Sequence, residues 1–311
     1  MIDLRRLQVL RTVRQHRTVT GAAAALHLTP SAVSQQVQSL ARDLGVALVE
    51  RQGRGVVLTA AAETLLRHAD VLYAQWEVAQ GELAAHRDGS RAGPLSMGAF
   101  PTALAALVAP AAVRMEHSGS PAPVRLTEAE SSQCFDLLQS GVLDVAVVVP
   151  LPDSPAPADT RFEQEFLLDD PQDLIVPHGH ALDAGRPVAL ADAREERFVA
   201  APRNIDQHQL ILAACQAAGF TPRIEHEAQE WNAIVSLVAH GFGVSLLPRL
   251  APIPSGLPVR RVPLHGQPSP SRRLLTCVRR GSARQRAIAG GLAALRAVAA
   301  EHTTGAAPPR G

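Results

Sequence analysis

The 311 residues predict a mainly α N-terminal domain, a long linking helix and a larger α/β domain. Apolar residues recur at helical spacing through the N-terminal region, and a proline-free segment of helix-forming residues follows it. Beyond Pro94, β-prone runs alternate with helical ones, which is typical of α/β folds. The expected parts are a first domain at 1–59, a linking helix at 60–88, a hinge at 89–93, the α/β domain at 94–302 and a disordered tail at 303–311.

The segment 18–59 predicts two short helices around a tight turn. Thr29 is a suitable N-cap for the second helix, and Pro30 occupies the first helical position, where its missing amide hydrogen does no harm. One helical stripe is expected to be buried and consists of Leu26, Val33, Val37, Leu40 and Leu44. The other face carries short, uncharged hydrogen-bonding groups of the kind that contact base edges in a major groove. The candidate DNA-binding residues of this helix are Thr29, Ser31, Ser34, Gln35 and Gln38.

A basic hairpin follows the second helix. Gly45 is placed to end that helix, and the next run, VALVERQGRGVVLT, contains two β-prone stretches around glycines. Arg51 and Arg54 lie near its tip, where they can reach phosphates or the minor groove. Residues 1–58 carry eight arginines against three acidic residues, a net charge of +5, whereas the rest of the chain carries −4. This asymmetry is typical of a nucleic-acid-binding module joined to another domain, although a solvated polar surface is the alternative.

The predicted linking helix, from Ala60 to about Arg87, carries a heptad-like apolar stripe. Its members recur three and four positions apart in alternation, as along the seam of a coiled coil. We expect the stripe to pair with a second copy of the chain, so that two recognition helices face two half-sites on DNA. A helix packed only on its own domain is the alternative. The expected dimerisation residues are Leu65, Ala69, Leu72, Trp76, Ala79 and Leu83.

Together these motifs resemble the N-terminal domain of LysR-type transcriptional regulators. The resemblance covers the first helix, DLRRLQVLRTVRQH at 3–16, the run AAAALHLTPSAVSQQVQSLARDLGVALVER and the closing RGVVLTAAAE. It implies a winged helix-turn-helix, double-stranded DNA as a partner, and a homodimer or homotetramer. The family usually has an acidic residue, Phe, Gly and Gln where this chain has Ala41, Val49, Ala62 and Pro30. A base contact by that glutamine is therefore absent here.

The C-terminal region resembles the two-lobed, periplasmic-binding-protein-like effector domain of the same family. Its markers are LQSGVLDVAVV at 138–148, LIVPHGHAL at 174–182, AACQAAGFTPRIEHEA at 213–228 and LVAHGFGVSLLP at 237–248. The pattern predicts mainly parallel sheets, with strands at 162–168 and 173–176 and a single helix at 102–116. The expected lobes are lobe I, 94–162 with 266–302, and lobe II, 163–265.

Ligands of open α/β sheets bind beyond the carboxyl ends of strands, near helix N-termini. In this chain that position lies between the two expected lobes. Amide groups and hydroxyls there suggest a small carboxylate-bearing effector, although each polar residue could equally serve as a helix cap. The expected effector-binding residues are Pro101, Thr102, Ser131, Ser132, Asn204 and Trp231.

Several function classes lack their usual signals. The sequence has no P-loop, no GxGxxG after a strand, no nucleophile elbow and no metal-ligand spacing, so we expect no enzyme, no metal and no cofactor. The three cysteines are widely spaced and predict buried thiols. No leader-like segment begins the chain and no apolar run approaches ~18 residues, which predicts a cytoplasmic protein without a membrane partner. A solute-binding protein without a DNA role is the alternative function.

Overall fold

The computed structural model describes residues 4–26, 28–53, 55–85, 94–118, 123–183, 185–266 and 269–304. The chain forms two compact units: the first extends from the N-terminus to residue 86 and includes 280–282, and the second contains the other residues. Arg54, the predicted hinge at 89–93 and most of the predicted tail lie outside the described residues.

The described part of the N-terminal unit contains four helices and one hairpin. Its elements are α1 (Leu4–His16), α2 (Val19–Ala25), α3 (Pro30–Leu44), β1 (Val49–Gln52), β2 (Gly55–Leu58) and α4 (Ala60–Ala85). The first three helices and the start of α4 share one apolar core, in which Leu7, Leu10 and Leu66 are at most 1% exposed.

The helix α3 confirms the local sequence prediction. The Thr29 hydroxyl accepts the amide hydrogen of Ala32 at 3.2 Å, and Pro30 is the first helical residue. Gly45 follows the helix with φ of 69°, a left-handed conformation that costs glycine little. The predicted stripe faces the core: Val33, Val37 and Leu40 are buried, and Leu26 and Leu44 are half-buried. Burial of this stripe leaves the polar face of α3 outward.

The C-terminal unit has α/β architecture. Its helices are α5 (Pro101–Ala103), a π-helical turn (Leu104–Val108), α6 (Ala109–His117), α7 (Ser131–Ser140), a 3₁₀ turn (Leu190–Ala193), α8 (Asp206–Ala217), α9 (Trp231–Ala239) and α10 (Arg286–Thr304). Its strands are β3 (Leu95–Ala99), β4 (Val124–Glu128), β5 (Val145–Val148), β6 (Phe162–Pro177), β7 (Val188–Ala189), β8 (Arg197–Ala200), β9 (Arg223–Glu227), β10 (Ser245–Pro248), β11 (Val259–Val262), β12 (Leu264–His265) and β13 (Ser271–Arg279).

The main sheet differs from the predicted parallel one. Its order is β10-β6-β13-β5-β3-β4, with β11 also on β6. Among its described strands, β3 pairs in parallel with β4 and β5. In contrast, β6 pairs antiparallel with β10, β11 and β13, and β13 also pairs antiparallel with β5. The described part of the sheet is therefore mixed.

The strands predicted at 162–168 and 173–176 are one continuous strand, β6. The four residues between them are polar or proline (DDPQ at 169–172). In the structure Asp170 is buried in an ion pair with Arg272, so this polar stretch stays in the sheet. The first half of β6 pairs with β13, and its second half pairs with β10 and β11.

Two further predicted elements need correction. The single helix expected at 102–116 is interrupted by the π-helical turn, next to Pro110, which cannot donate a helical hydrogen bond. Thr303 and Thr304, which were expected to lie in a disordered tail, belong to α10.

Separate apolar cores support the two lobes. Lobe I is built around Leu107, Val147 and Leu295, and lobe II around Leu174, Phe198 and Leu246. The helices α7, α8 and α9 each begin just after a strand, which points their N-termini into the space between the lobes. Among the described residues, no helix is both long enough and apolar enough to span a bilayer.

Candidate nucleic-acid interface and interlobe cleft

The outward face of α3 presents the hydrogen-bonding groups that the sequence predicted. Thr29, Ser31, Gln35 and Gln38 are exposed, and Ser34 is half-buried. The hydroxyls of Thr29 and Ser31 lie 3.0 Å apart at the helix N-terminus. This end of the helix therefore combines side-chain hydroxyls with amide groups, which suits contact with phosphate or base edges.

The hairpin of β1 and β2 forms a wing beside α3. Its two strands pair antiparallel from Val49 opposite Leu58 to Gln52 opposite Gly55. Gly55 lies so near the junction of α1 and α2 that an added Cβ would be 2.7 Å from the carbonyl oxygen of Arg17. A depression of about 400 Å³ lies between α3 and the wing and is lined by residues that include Ser34, Gln38 and Arg51.

Several arginines counted in the basic N-terminal charge are engaged within the unit. Arg6 pairs with Asp43 at 2.6 Å, Arg14 pairs with Glu63 at 3.2 Å, and Arg11 forms a buried ion pair with Asp70. Arg17, Arg42 and Arg51 are exposed. The positive surface charge available to DNA is therefore smaller than the net +5 of the sequence. Part of this charge, Arg51, lies on the wing.

Three of the six predicted effector-binding residues line a cleft between the lobes. Pro101, Thr102 and Trp231 border a cavity of about 40 Å³. The Ser131 hydroxyl is buried and accepts the amide hydrogen of Val149 at 3.0 Å, so its oxygen is already used inside lobe I. Ser132 and Asn204 are exposed and do not border the cavity.

A buried ion pair closes one side of the cleft. Arg272 donates from Nε and Nη2 to Oδ2 of Asp170 at 3.1 and 2.6 Å, and from Nη2 to the Thr102 hydroxyl at 2.9 Å. The Arg272 guanidinium also lies 5.0 Å from the ring centroid of Phe100. Burial lowers the pKa of Arg272, and the charge of Asp170 opposes this effect.

Two carboxylates join the lobes across the cleft. The amide of Ser131, at the start of α7, donates to Oδ2 of Asp206 at 3.0 Å. In return the amide of Asp206, at the start of α8, donates to Oε2 of Glu130 at 3.4 Å. Each helix N-terminus thus receives a carboxylate from the opposite lobe, as the helix dipole favours. Burial, followed by the charge of Asp206, raises the pKa of Glu130 to about 7.

Models of two known domain families match this chain. The one described as "Bacterial regulatory helix-turn-helix protein, lysR family" matches residues 4–63, and the one described as "LysR substrate binding domain" matches residues 88–300. The chain belongs to the LysR family. It is a DNA-binding transcriptional regulator with an effector-binding domain.

Relatives of this LysR-family regulator agree in function and fold. The transcriptional dual regulator GltC of Bacillus subtilis (strain 168) is 29% identical over 251 residues, which cover 79% of this chain and 81% of GltC. A full-length OxyR variant from Pseudomonas aeruginosa shares the fold with a TM-score of 0.63 and 24% identity, covering 95% of both chains. Full-length CbnR, solved with its target DNA, has a TM-score of 0.54 and 22% identity, covering 96% of this chain and 100% of CbnR.

The linking helix of the regulator divides the predicted dimer stripe into two parts. Ala69 is 1% exposed and Leu65 is half-buried, because both pack on the core of their own N-terminal unit. Ala69 therefore does not supply a dimer surface in this conformation, which corrects the sequence prediction for that residue. Leu65 is only partly covered and stays a predicted contact. Leu72, Trp76 and Leu83 are 55%, 49% and 59% exposed, and Ala79 between them is half-buried.

The three cysteines of the regulator are buried, as predicted. Burial raises the pKa of Cys134 and Cys215 to about 12, and it also raises the pKa of Cys277. We expect native protein at pH 7 to react with a thiol reagent such as DTNB far more slowly than unfolded protein, because the thiols are buried and their raised pKa keeps them protonated. Protein unfolded in guanidinium is the control, and in it all three cysteines should react, releasing three equivalents of thionitrobenzoate. Rapid stoichiometric labelling of native protein would contradict this assignment.

The polar cleft residues that were not predicted from the sequence include Glu130, Asp206, Gln207 and Arg272. Glu130 and Asp206 lie directly at the starts of α7 and α8, so their positions in the sequence could have indicated a place at the cleft. The sequence offered no comparable signal for Arg272, whose partner Asp170 is 102 residues away.

Proposed function

We propose that this regulator reads its operator with α3 in the major groove and the wing on the adjacent backbone. Gln35 and Gln38 are placed to contact base edges, while Thr29, Ser31 and Ser34 contact phosphates or bases near the helix N-terminus. Arg51, and Arg54 three positions later in the sequence, contact phosphates or the minor groove. The observation that carries this proposal is the exposed, uncharged polar face of α3 bordering the depression beside the wing.

We also propose that the protein forms a homodimer, or a homotetramer built from such dimers. The dimer forms through the outer part of α4. Leu72, Trp76 and Leu83 provide exposed apolar surface at heptad spacing, and Ala79 provides a small residue between them. Exposed apolar stripes of this kind mark association surfaces. Two copies would place two recognition helices on two half-sites.

We propose that a small molecule binds between the lobes and modulates the regulator. Pro101, Thr102 and Trp231 border the cleft and are the expected contacts. Since Ser131 uses its hydroxyl internally and Ser132 and Asn204 lie outside the cavity, we assign them no side-chain contact. The effector can change DNA binding only if it binds one arrangement of the protein more tightly than the other.

The regulators among the relatives support a binding role without catalysis. A role on bacterial DNA supports a cytoplasmic location. No group of three potential metal ligands is found in the described part of the chain, and the proposal needs none.

The two kinds of DNA contact can be separated by substitution. We expect Arg51→Ala to weaken binding to all duplexes and to reduce the slope of log K against log salt by about one unit for each phosphate that the arginine no longer neutralises. We expect Gln35→Ala to weaken only operator binding, by about 5- to 150-fold, because alanine cannot hydrogen-bond a base edge. Both effects are measured by fluorescence anisotropy at several salt concentrations. The two DNA probes are a duplex from the region upstream of the gene, which serves as the operator, and a duplex of unrelated sequence.

The matched controls for these variants are Arg284→Ala and Gln216→Ala, exposed positions of the C-terminal unit. They should leave both DNA affinities and the salt slope unchanged. If Gln35→Ala and Arg51→Ala behave like these controls, α3 and the wing do not form the DNA interface.

A further inference from the structure

The interlobe cleft carries a surplus of negative charge. Its lining includes the carboxylates of Glu130, Asp206 and Glu230, whereas the one arginine among the described lining residues, Arg272, is paired with Asp170. The N-termini of α7, α8 and α9 contribute roughly half a positive charge each. Glu130, with a pKa raised to about 7 by burial and by the charge of Asp206, is partly protonated at neutral pH. The remaining carboxylate charge still exceeds the partial positive charges, so the cleft favours a cation.

An anionic ligand would find its positive partner already engaged. The Arg272 guanidinium is 4% exposed and directs both Nε and Nη2 to Asp170. The hydroxyl of Thr102 accepts a further hydrogen bond from the same guanidinium. To bind Arg272, a carboxylate would have to compete with a buried ion pair and approach three other carboxylates, both of which are costly.

A second, independent feature of the cleft indicates a missing ligand group. Gln207 borders the cavity and is 7% exposed, and its Oε1 accepts the amide hydrogen of Ala201, which fixes the orientation of the side-chain amide. Its Nε2 is buried and has no hydrogen-bond partner among the described residues. A buried donor without an acceptor is costly, so an acceptor from a ligand or water fits this position.

The aromatic lining of the cleft also suits a cation. The ring of Phe100 already lies next to the Arg272 guanidinium, at 5.0 Å from its centroid. Trp231, half-buried at the start of α9, provides a second aromatic ring on the other lobe. Indole rings have the strongest attraction for cations among the aromatic side chains.

We infer that the effector of this regulator is a small organic amine, protonated at neutral pH, that also carries an oxygen acceptor. Its ammonium group binds between Glu130 and Asp206, and its oxygen accepts a hydrogen bond from Nε2 of Gln207. This inference rests on the proposed binding of a small molecule between the lobes. Because the cavity holds only about 40 Å³, the lobes move apart slightly to admit the amine.

The proposed position explains how binding could change the protein. Glu130 and Asp206 link the lobes through the two hydrogen bonds from the helix N-termini. An ammonium group with three donors can bridge both carboxylates at once. The amine would therefore stabilise one spacing of the lobes relative to the others.

The amine also couples binding to pH. Glu130 has a pKa of about 7 and faces Asp206 on α8 and Glu128 on β4, while Arg272 of β13, with Asp170 of β6, lies nearby. An ammonium group binds the ionised form of Glu130, so the affinity for an amine rises between pH 6 and pH 8, by about tenfold for a pKa near 7. A carboxylate would show the opposite dependence.

Matched pairs of probes test the sign of the ligand charge. The amines ethanolamine, benzylamine and tyramine are compared at millimolar concentration with the carboxylates glycolate, benzoate and 4-hydroxyphenylacetate. Each probe is added to the full chain, and the melting temperature and the heat of binding are measured at pH 6 and pH 8. We expect stabilisation by at least one amine, stronger at pH 8, and none by its carboxylate partner.

Substitutions locate the site. We expect Glu130→Gln and Asp206→Asn, which keep side-chain shape and capping oxygens, to weaken amine binding about tenfold or more, and Glu130→Gln to remove its pH dependence. Gln207→Leu removes the Nε2 donor and so tests the hydrogen bond to the oxygen of the ligand. It should weaken the binding of ethanolamine or tyramine, which carry an oxygen, more than the binding of benzylamine, which does not. Glu195→Gln and Asp153→Asn, at exposed positions of the same unit, are the controls and leave binding unchanged.

The outcomes separate this inference from the function it rests on. Stabilisation by carboxylates alone, or no effect of any amine on the wild-type protein, overturns the amine assignment. If a carboxylate binds and Trp231→Ala abolishes its binding, the cleft remains the effector site and only the chemical class is wrong. Failure of the wild-type protein to discriminate the operator from unrelated DNA would instead contradict the proposed regulator function.

Discussion

Replacing both Leu72 and Trp76 by glutamate is expected to convert the protein into a monomer and to weaken operator binding by about a hundredfold or more. Both side chains are about half exposed on the outer part of α4, where they add apolar surface at heptad spacing. Two glutamates on this stripe would face each other across the dimer axis and repel. Sedimentation velocity measures the mass, and anisotropy with a two-half-site duplex measures the affinity.

A control substitution distinguishes dissociation of the dimer from a general decrease in surface hydrophobicity. Val71 is 57% exposed and lies to one side of the stripe, so Val71→Glu makes the same apolar-to-acidic change away from the seam. This variant is expected to remain dimeric. Binding to a single half-site should be equal for all three proteins, because α3 is unchanged. A Leu72→Glu, Trp76→Glu protein that stays dimeric would show that α4 does not hold the subunits together.

Breaking the buried ion pair of the cleft is expected to have the largest effect on stability. Asp170 is 1% exposed and accepts from Arg272 and from the amide of Leu250. Asp170→Ala leaves the Arg272 charge buried without its partner and should lower the free energy of unfolding by about 3–5 kcal/mol. Urea denaturation followed by Trp231 fluorescence, in a Trp76→Phe background, reports on the C-terminal unit.

Two comparisons test the cause of this destabilisation. Glu165 and Arg296 also pair at 2.6 Å but are each more than half exposed, so Glu165→Ala should cost less than about 1 kcal/mol. The double variant Asp170→Leu with Arg272→Met removes both buried charges and should be more stable than Asp170→Ala. If the double variant is the less stable of the two, the cost comes from poorer packing and missing hydrogen bonds rather than from an unpaired charge.

Local features of the DNA-binding unit were predictable from sequence because short-range chemistry determines them. The cap at Thr29, the proline after it and the glycine that ends α3 act within one helical turn. The dimer stripe was only partly predictable. Ala69 and Trp76 have the same heptad spacing, and the pattern cannot distinguish packing on the same chain from packing on a second copy.

The cleft was predictable in place but not in chemistry. Strand-helix alternation put Thr102 and Trp231 at its edge, because the carboxyl ends of strands collect ligands in such folds. The pairing of Asp170 with Arg272 depends on strands far apart in sequence, so the polar stretch inside β6 has the local pattern of a loop. The link between Glu130 and Asp206 also joins distant helices.

The unbroken strand β6 constrains how the effector domain can respond. Its 16 residues pass from the part of the main sheet in one lobe into the part in the other, and strands pair with it on both stretches. A flexible joint at this crossing would require breaking ladder hydrogen bonds, whereas a strand can change its twist at much lower cost. The response of the effector domain to its ligand is therefore expected to be a small twist of one lobe against the other about β6. Transmission to the rest of the protein then depends on the stiffness of this strand rather than on a large rotation of the lobes.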